Sequence, residues 1–493
     1  MNIDDKIDSF FKEMYKLDKE KFIKEKEISA RDLIVSERID LVAKIKYIES
    51  IENKYNTNFF TNLYKESINC FSDGTYKEPG NKSKCNFNEY IDTFDNLIDD
   101  IKKNGFDNKK SIVPISKDSI ILDGSHRTAI CAYYNKKIKA ASFDVIGKKY
   151  DLDYFQKKCM IQKYRDYLCL EYSKMKDNIY AICVWPRCPK DYYEEIDKEI
   201  KSNFKVIYKK EISFTYKGLR NFLIQIYNND SWIGSIDDNY KGIDFKLNNC
   251  FGDNNTYFYV IEEKDIKKLN SFKTRIREKV GIGNHSMHTS DNKSESIKIL
   301  NMILNNNTIN FLNNADIYKY KDKIKELNEL KKKFVKNKIN SNKLVLDGSI
   351  VLTLYGLRVN RDIDVIVSDD ELKNVEKIID VHNDELKLYN KTVDDIIYNP
   401  DSYFYFDDLK FISLELLKYK KEKRGEKKDK KDIDLINTVL VKNSFFKKSI
   451  LGFKVFMIKS KLRIKHHIMK FLKVTKLEKP FKKVWRIIKG KRK

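Results

Sequence analysis

The sequence predicts an α/β (α+β) protein: three successive mixed-sheet domains, preceded by a helical N-terminus and followed by a basic helical tail. Three observations carry this expectation. A chain of 493 residues is about three domains long, and with 41% hydrophobic and 13% aromatic residues it can fill real cores. Short apolar runs pass through a glycine turn into a helical stretch at 120–135 and at 344–355, and strands alternate with helices across 178–315. Alternation of this kind marks sheets covered by helices. Charge is also segregated, because residues 441–493 hold nineteen Lys/Arg and one acid, Glu478, and so contribute +18 of the net +25.

In chain order, residues 1–55 read as helices, clearest in ISARDLIVSERIDLVAKIKYIESI. Residues 56–150 are expected to form the first domain, with a loop rich in Gly, Pro, Ser and Asn at 70–85 and helix–strand alternation over 90–150. A connecting helix covers 151–178, and a second domain covers 179–315. A charged helical linker follows at 316–340, clearest in DIYKYKDKIKELNELKKKFVK. The third domain spans 341–440. In the tail, 441–493, Leu477, Phe481, Val484, Trp485 and Ile488 recur at helical spacing, with Lys482, Lys483, Arg486 and Lys489 elsewhere on the wheel. A basic amphipathic helix of this type is expected to lie on an anionic membrane surface. Nucleic acid is the rival partner, but phosphate-backbone binding does not need a bulky apolar face.

The eight cysteines show no metal-type Cys-x-x-Cys spacing. No signal peptide opens the chain at Met1 and no apolar run approaches the length of a transmembrane helix. The expected location is therefore cytoplasmic and peripheral, at the inner face of the membrane.

The strongest chemical signal is KLVLDGSIVLTLYGLRVNRDIDVIV, residues 343–367. Leu344 to Leu346 form a short strand, Gly348-Ser349 a tight turn, Ile350 to Tyr355 a helix, and Asp362 and Asp364 alternate with apolar residues in a second strand. Residues i and i+2 of a strand share a face, so both carboxylates are expected beside the turn. Turn amides can cradle phosphate oxygens and a carboxylate pair can hold Mg²⁺. The segment resembles nucleotidyltransferases of DNA polymerase β type over about 341–440. The resemblance implies that Asp362 and Asp364 bind Mg²⁺ (or Mn²⁺), that Gly348 and Ser349 hold the nucleoside triphosphate substrate, and that a third acid follows on a later strand. Asp407, Asp408 and Glu415 are its candidates. Lys418, Arg424, Asp432 and Asp434 lie on a later helical stretch, where similar proteins carry a basic-then-acidic helix.

A second phosphate signature is IVPISKDSIILDGSHRTAICAYYNKKIKAASFDV, residues 112–145. A strand, Ile120 to Leu122, runs through Asp123-Gly124-Ser125-His126-Arg127 into a helix, Thr128 to Asn135, and a strand from Ala140 to Val145 follows. A helix N-terminus after a glycine turn offers free amides to an anion, and His126 and Arg127 add charge there. The alternative is that Asp123 and Ser125 simply cap the helix. Residues 88–147 resemble the ParB/sulfiredoxin fold, closest to its kinase-like members. Ser125 stands where sulfiredoxin has its reactive cysteine, which argues against thiol redox chemistry. No DNA-binding helix pair is evident after Val145. The resemblance implies nucleotide binding at Asp123, Gly124, Ser125, His126 and Arg127.

A third signature is His288-Thr289-Ser290-Asp291, after Lys273, Arg275, Arg277 and Lys279 and before a helix, Lys293 to Leu304. The segment 179–315 resembles nucleoside diphosphate kinase, a ferredoxin-like fold, which implies a phosphorylated histidine at His288 and nucleotide binding by Arg275 and Arg277. Trp185 replaces that family's phosphate-binding lysine. Ile299 stands where a glutamate orients the histidine, with Glu295 one turn earlier. His288 is thus read either as a phosphate acceptor or as part of a scaffold.

Together these readings predict a multidomain nucleotide and phosphate-transfer enzyme. Its expected reaction is Mg²⁺-dependent nucleotidyl transfer to a small acceptor such as a sugar phosphate or an amino acid, for example a surface-polysaccharide precursor, with kinase-like modules upstream. The alternatives are a ParB-like nucleic-acid-binding protein, a toxin or defence nucleotidyltransferase that modifies protein or RNA, and a noncatalytic nucleotide sensor.

Overall fold

The computed structural model describes residues 6–18, 20–77, 84–107 and 111–440. The basic tail, 441–493, and its expected amphipathic helix lie outside the described residues. The architecture is α/β, with three mixed sheets among helices. The chain divides into two compact units, one formed by residues 1–48 and 61–161, the other by residues 49–60 and 162–440.

The first unit contains α1 (Ser9–Tyr15), β1 (Phe22–Ser29) and most of α2 (Asp40–Glu52) and α3 (Phe59–Phe71). It continues with α4 (Phe87–Asn104), β2 (Val113–Ser116), α5 (Ser125–Tyr133), β3 (Lys137–Phe143) and α6 (Leu152–Lys157). Asn86 and Glu89 close a capping box at the start of α4. The sheet order is β1-β3-β2, with β1 antiparallel and β2 parallel to β3. Ile7, Leu17, Ile112, Leu122, Ala141 and Phe143 form one of its cores.

This sheet corrects the expectation of an all-helical N-terminus. FIKEKEIS is a strand whose register runs from Phe22↔Phe143 to Ser29↔Lys137. It lies at the edge of the sheet, so its outward residues remain charged. The expected strand Ile120 to Leu122 is reduced to a single bridge, Ile115↔Ile121. The following helix begins at Ser125, three residues earlier than the apolar pattern implied.

The second unit opens with α7 (Gln162–Met175), β4 (Ile179–Val184), α8 (Lys190–Asn203), β5 (Lys205–Ile212), α9 (Tyr216–Tyr227) and α10 (Gly242–Cys250). It then adds β6 (Thr256–Glu262), α11 (Ile266–Val280), β7 (Met287–Thr289), α12 (Lys293–Ile303) and α13 (Asn306–Asn314). Its first sheet, in the order β5-β6-β4-β7, is antiparallel throughout, the order of a split βαβ arrangement. Ile182, Val184, Ile200, Ile261, Phe272 and Met287 are buried on one side of it. The segment expected to be a linker contains α14 (Lys321–Lys336), which buries Ile324, Leu327, Leu330 and Phe334 at helical spacing.

The remaining elements are β8 (Leu344–Asp347), α15 (Ser349–Leu354), β9 (Asp364–Val367), α16 (Leu372–Val375), β10 (Asp380–Val381), α17 (Val393–Tyr398), β11 (Tyr403–Phe406), β12 (Leu409–Ile412), α18 (Leu414–Arg424) and α19 (Lys427–Leu440). This sheet runs β10-β9-β8-β12-β11. The two sheets of the unit meet through α13. Phe311 stacks on Phe404 at 4.3 Å, and Thr308 Oγ1 accepts from the Tyr405 amide at 2.8 Å. Among the described residues no helix is long and apolar enough to cross a membrane.

Candidate functional site

The glycine turn at 348 is built by packing as much as by local preference. β8 and β9 are antiparallel, and their register pairs Asp347 with Asp364. Residues directly opposite in such a pair point to the same face. Gly348 has φ +76°, and a Cβ there would collide with Asp364 Oδ2. Only glycine therefore allows the carboxylate to approach the turn this closely. The turn leads directly into α15 at Ser349.

Asp362 differs from expectation. β9 begins at Asp364, so Asp362 sits in an exposed bend before the strand, and the alternation argument covers only the second carboxylate. Asn360 fixes the bend instead. Its side chain donates to the Asp362 carbonyl at 2.8 Å, and it exchanges hydrogen bonds with Thr353 Oγ1 at 2.9 and 2.8 Å. The charge of Asp362 still reaches Asp364.

Asp364 is 9% exposed. Its pKa is pushed up to about 6, first by burial, then by the charges of Asp362 and Asp347, against the opposing pull of His382 and Lys420. His382 Nε2 stands 3.5 Å from its Oδ1. Behind the turn, buried Asp347 accepts from the Gly348 amide at 2.6 Å, from Lys420 Nζ at 2.7 Å and from the Tyr389 hydroxyl. Burial opposes the charge of Lys420, but Asp347 and Glu385 more than offset it and its pKa lies above the ordinary lysine value.

The basic-then-acidic helical stretch supplies this backing through partly different residues than expected. Arg358 makes a bidentate pair with Asp432 at 2.5 and 2.8 Å. Lys421 bonds Asp432 at 2.7 Å, and Arg424 clasps Asp429 at 2.9 and 2.7 Å. Lys418 pairs with Glu422 at 3.5 Å, within its own helix. Asp347, His382, Lys420 and Lys421 were missed. For Asp347 a signal existed, since a charged residue closes an otherwise apolar strand.

The third-acid candidates do not join Asp364. β12 is parallel to β8, so the β11–β12 turn carrying Asp407 and Asp408 lies at the end of the sheet opposite Gly348. Glu415 is exposed, and its charge is felt by Tyr355, at the far end of α15. Among the described residues no group of three or more His, Cys, Asp or Glu is poised to hold a metal ion. Two carboxylates, one of them disfavoured as a bare anion, still fit Mg²⁺, which is often held by one or two carboxylates together with substrate phosphates and water.

In the first unit, Gly124 has φ +83°, and Arg127 folds back over it to bond Asp123 at 3.1 Å and the Ser111 hydroxyl. His126 is turned inward. Its Nε2 shares a 2.8 Å hydrogen bond with the Tyr64 hydroxyl, its ring packs 4.6 Å from Phe94, and burial followed by Lys44 and Lys84 holds its pKa well below the usual histidine value. It is a neutral wall of the turn rather than an added charge. A buried trio that no sequence motif announces lies within electrostatic reach of it. Asp40 bonds Arg38 at 2.8 and 3.0 Å and Lys44 at 2.8 Å, while Arg38 also reaches the Ile121 carbonyl.

His288, on β7, is 7% exposed. Its Nδ1 meets the Tyr227 hydroxyl at 3.1 Å and its Nε2 meets Glu295 Oε1 at 2.9 Å. Glu295 thus orients the ring from one turn before Ile299. With both nitrogens engaged, a phosphoryl group would have to displace one partner. Arg275 pairs with Glu199 on α8, and Arg277 donates to the Met287 carbonyl at 3.2 and 3.0 Å. Neither bonds His288 itself, although the charge of Arg277 reaches its partner Tyr227.

No protein-family model matches the chain, and no curated protein matches its sequence.

Proposed function

We propose that residues 341–440 bind a nucleoside triphosphate with Mg²⁺ and transfer its nucleotidyl group to a small acceptor such as a sugar phosphate or an amino acid. The observation that carries this is the fit of Asp364 against a glycine whose Cβ it excludes, at the mouth of a turn that enters α15. A bound Mg²⁺ supplies charge neutralisation at the phosphates, worth orders of magnitude in rate. The chain's own part is positional. Asp362 and Asp364 would hold the ion, Asn360 fixes the backbone of Asp362, and Ser349 opens the helix facing the phosphates. Lys420 and Tyr389 keep Asp347 still beneath the turn, so the Asp364 carboxylate meets a rigid floor.

The test is pyrophosphate release from each of four NTPs with Mg²⁺ and a panel of sugar phosphates and amino acids. Asp362→Ala and Asp364→Ala should each lower turnover at least a hundredfold while the circular dichroism spectrum is kept. Wild-type turnover in the double variant rejects the assignment. A second reading, nucleotide binding by the first unit, is supported by the positive-φ Gly124 with a guanidinium lying over it. The paired His288 favours the scaffold role over phosphate transfer in the intervening segment.

A further inference from the structure

An open groove of about 730 Å³ lies in the second unit, away from the Asp364 turn. One face of α14 forms a wall, with Lys325, Asn328, Lys332 and Lys336 a turn apart. The β11–β12 turn, which touches α14 through Lys331, and Lys298 of α12 with Asn228 and Tyr240 complete the lining. Five lysines against three carboxylates leave the lining net positive.

The wiring of the groove is specific. Half-buried Lys298 bonds a neutral group, Asn228 Oδ1, at 2.7 Å. The amide of Asn228 donates to Asp407 Oδ1 at 3.2 Å, and Lys331 meets Asp407 at 3.1 Å and Asp408 at 3.3 Å. Asp407 and Asp408 reach Lys331 from a two-residue hairpin turn with φ +47° and +62°, the left-handed conformation that such turns require and Asp tolerates. Burial lowers the pKa of Lys298, and Asp408 and Asp407 recover only part of it.

We propose that this groove is a second ligand site, for a phosphorylated sugar or polyol. A phosphate dianion matches the charge that two aspartates now present to Lys331, and it would give Lys298 the anionic partner it lacks among its hydrogen bonds. The amides of Asn229 and Asn328 and the Tyr240 hydroxyl both donate and accept, as sugar hydroxyls require. Few apolar side chains line the groove, which disfavours a flat aromatic ligand. Its volume falls in the range of small-molecule sites, roughly 300–1,000 Å³, and exceeds the needs of a lone phosphate. The site is independent of the nucleotidyl-transfer reading, because Asp407 and Asp408 lie at the other end of the sheet from Asp364.

Calorimetric titration of the full-length protein tests it, with glucose 1-phosphate, glucose 6-phosphate, glycerol 3-phosphate, inorganic phosphate and glucose as probes. At least one phosphorylated polyol should bind more tightly than inorganic phosphate, and glucose should not bind. Lys298→Gln should weaken binding at least tenfold. The exposed pair Lys332→Gln/Lys336→Gln should weaken it severalfold with no risk to the core. Asp407→Asn/Asp408→Asn should strengthen it, because the competing carboxylates are gone, and Asp364→Ala should leave it unchanged. No binding by any phosphorylated probe overturns the proposal. So does binding that ignores the lysine variants, or that is lost in Asp364→Ala.

Discussion

Asp364 shows how one side chain can be wrong for stability and right for a site. Its carboxyl is more acidic in the unfolded chain than in the folded protein, where burial lifts it to about 6. The folded state therefore binds the proton more tightly, and stability without metal falls as pH rises from about 4 to about 6, then levels off. Asp364→Asn should accordingly raise the stability of the metal-free protein at pH 7.5 by about 1–2 kcal/mol, less than the full shift because His382 and Lys420 lose a partner. The same variant should lose turnover. Thermal unfolding at pH 4.5 and 7.5 checks the sign: the gain belongs at the higher pH and should shrink at the lower. Turnover in the wild type should also fall with protonation of this carboxyl, at or below about pH 6, since cation and proton compete for the same oxygens.

At the scale of elements, the site depends on α18 reaching back to β8. Lys420 and Asp347 are 3% and 0% exposed, so each is costly without the other. Lys420→Met should destabilise the second unit by about 3–5 kcal/mol by leaving a buried carboxylate unpaired. Adding Asp347→Leu should recover much of that loss, and urea denaturation of the single and double variants measures it. The two glycine turns were legible in the sequence because their signals are local: an apolar strand, a Gly that tolerates positive φ, and a helix start within a dozen residues. What surrounds them was not. Asp347, His382 and Lys420 come from three separate elements, and nothing in the spacing of 347, 382 and 420 announces that they meet. Asp362 was misplaced because period-2 alternation was extended past the true start of β9. His288 was found by its neighbours in sequence, while its partners Tyr227 and Glu295 depended on how α9 and α12 pack. The Lys and Glu residues of β1 are good helix formers, and only its pairing with β3 makes it a strand.

For the whole molecule, charge divides the chain more sharply than fold does. Residues 441–493 carry +18, and each Lys/Arg near an anionic membrane contributes up to about 1 kcal/mol before screening. Truncation after Asn443 should abolish co-sedimentation with anionic liposomes while leaving nucleotide turnover unchanged; equal pelleting of the two proteins would assign the tail another task. The edge strand at the other end of the chain has a consequence for biosynthesis. β1 leaves the ribosome about 110 residues ahead of β3, a wait of roughly 5–20 s at ordinary elongation rates. Throughout that interval its backbone groups have no sheet to join. The Lys-Glu-Lys-Glu run at its centre, which disguised it as a helix, keeps the nascent segment hydrated until its partner strand emerges.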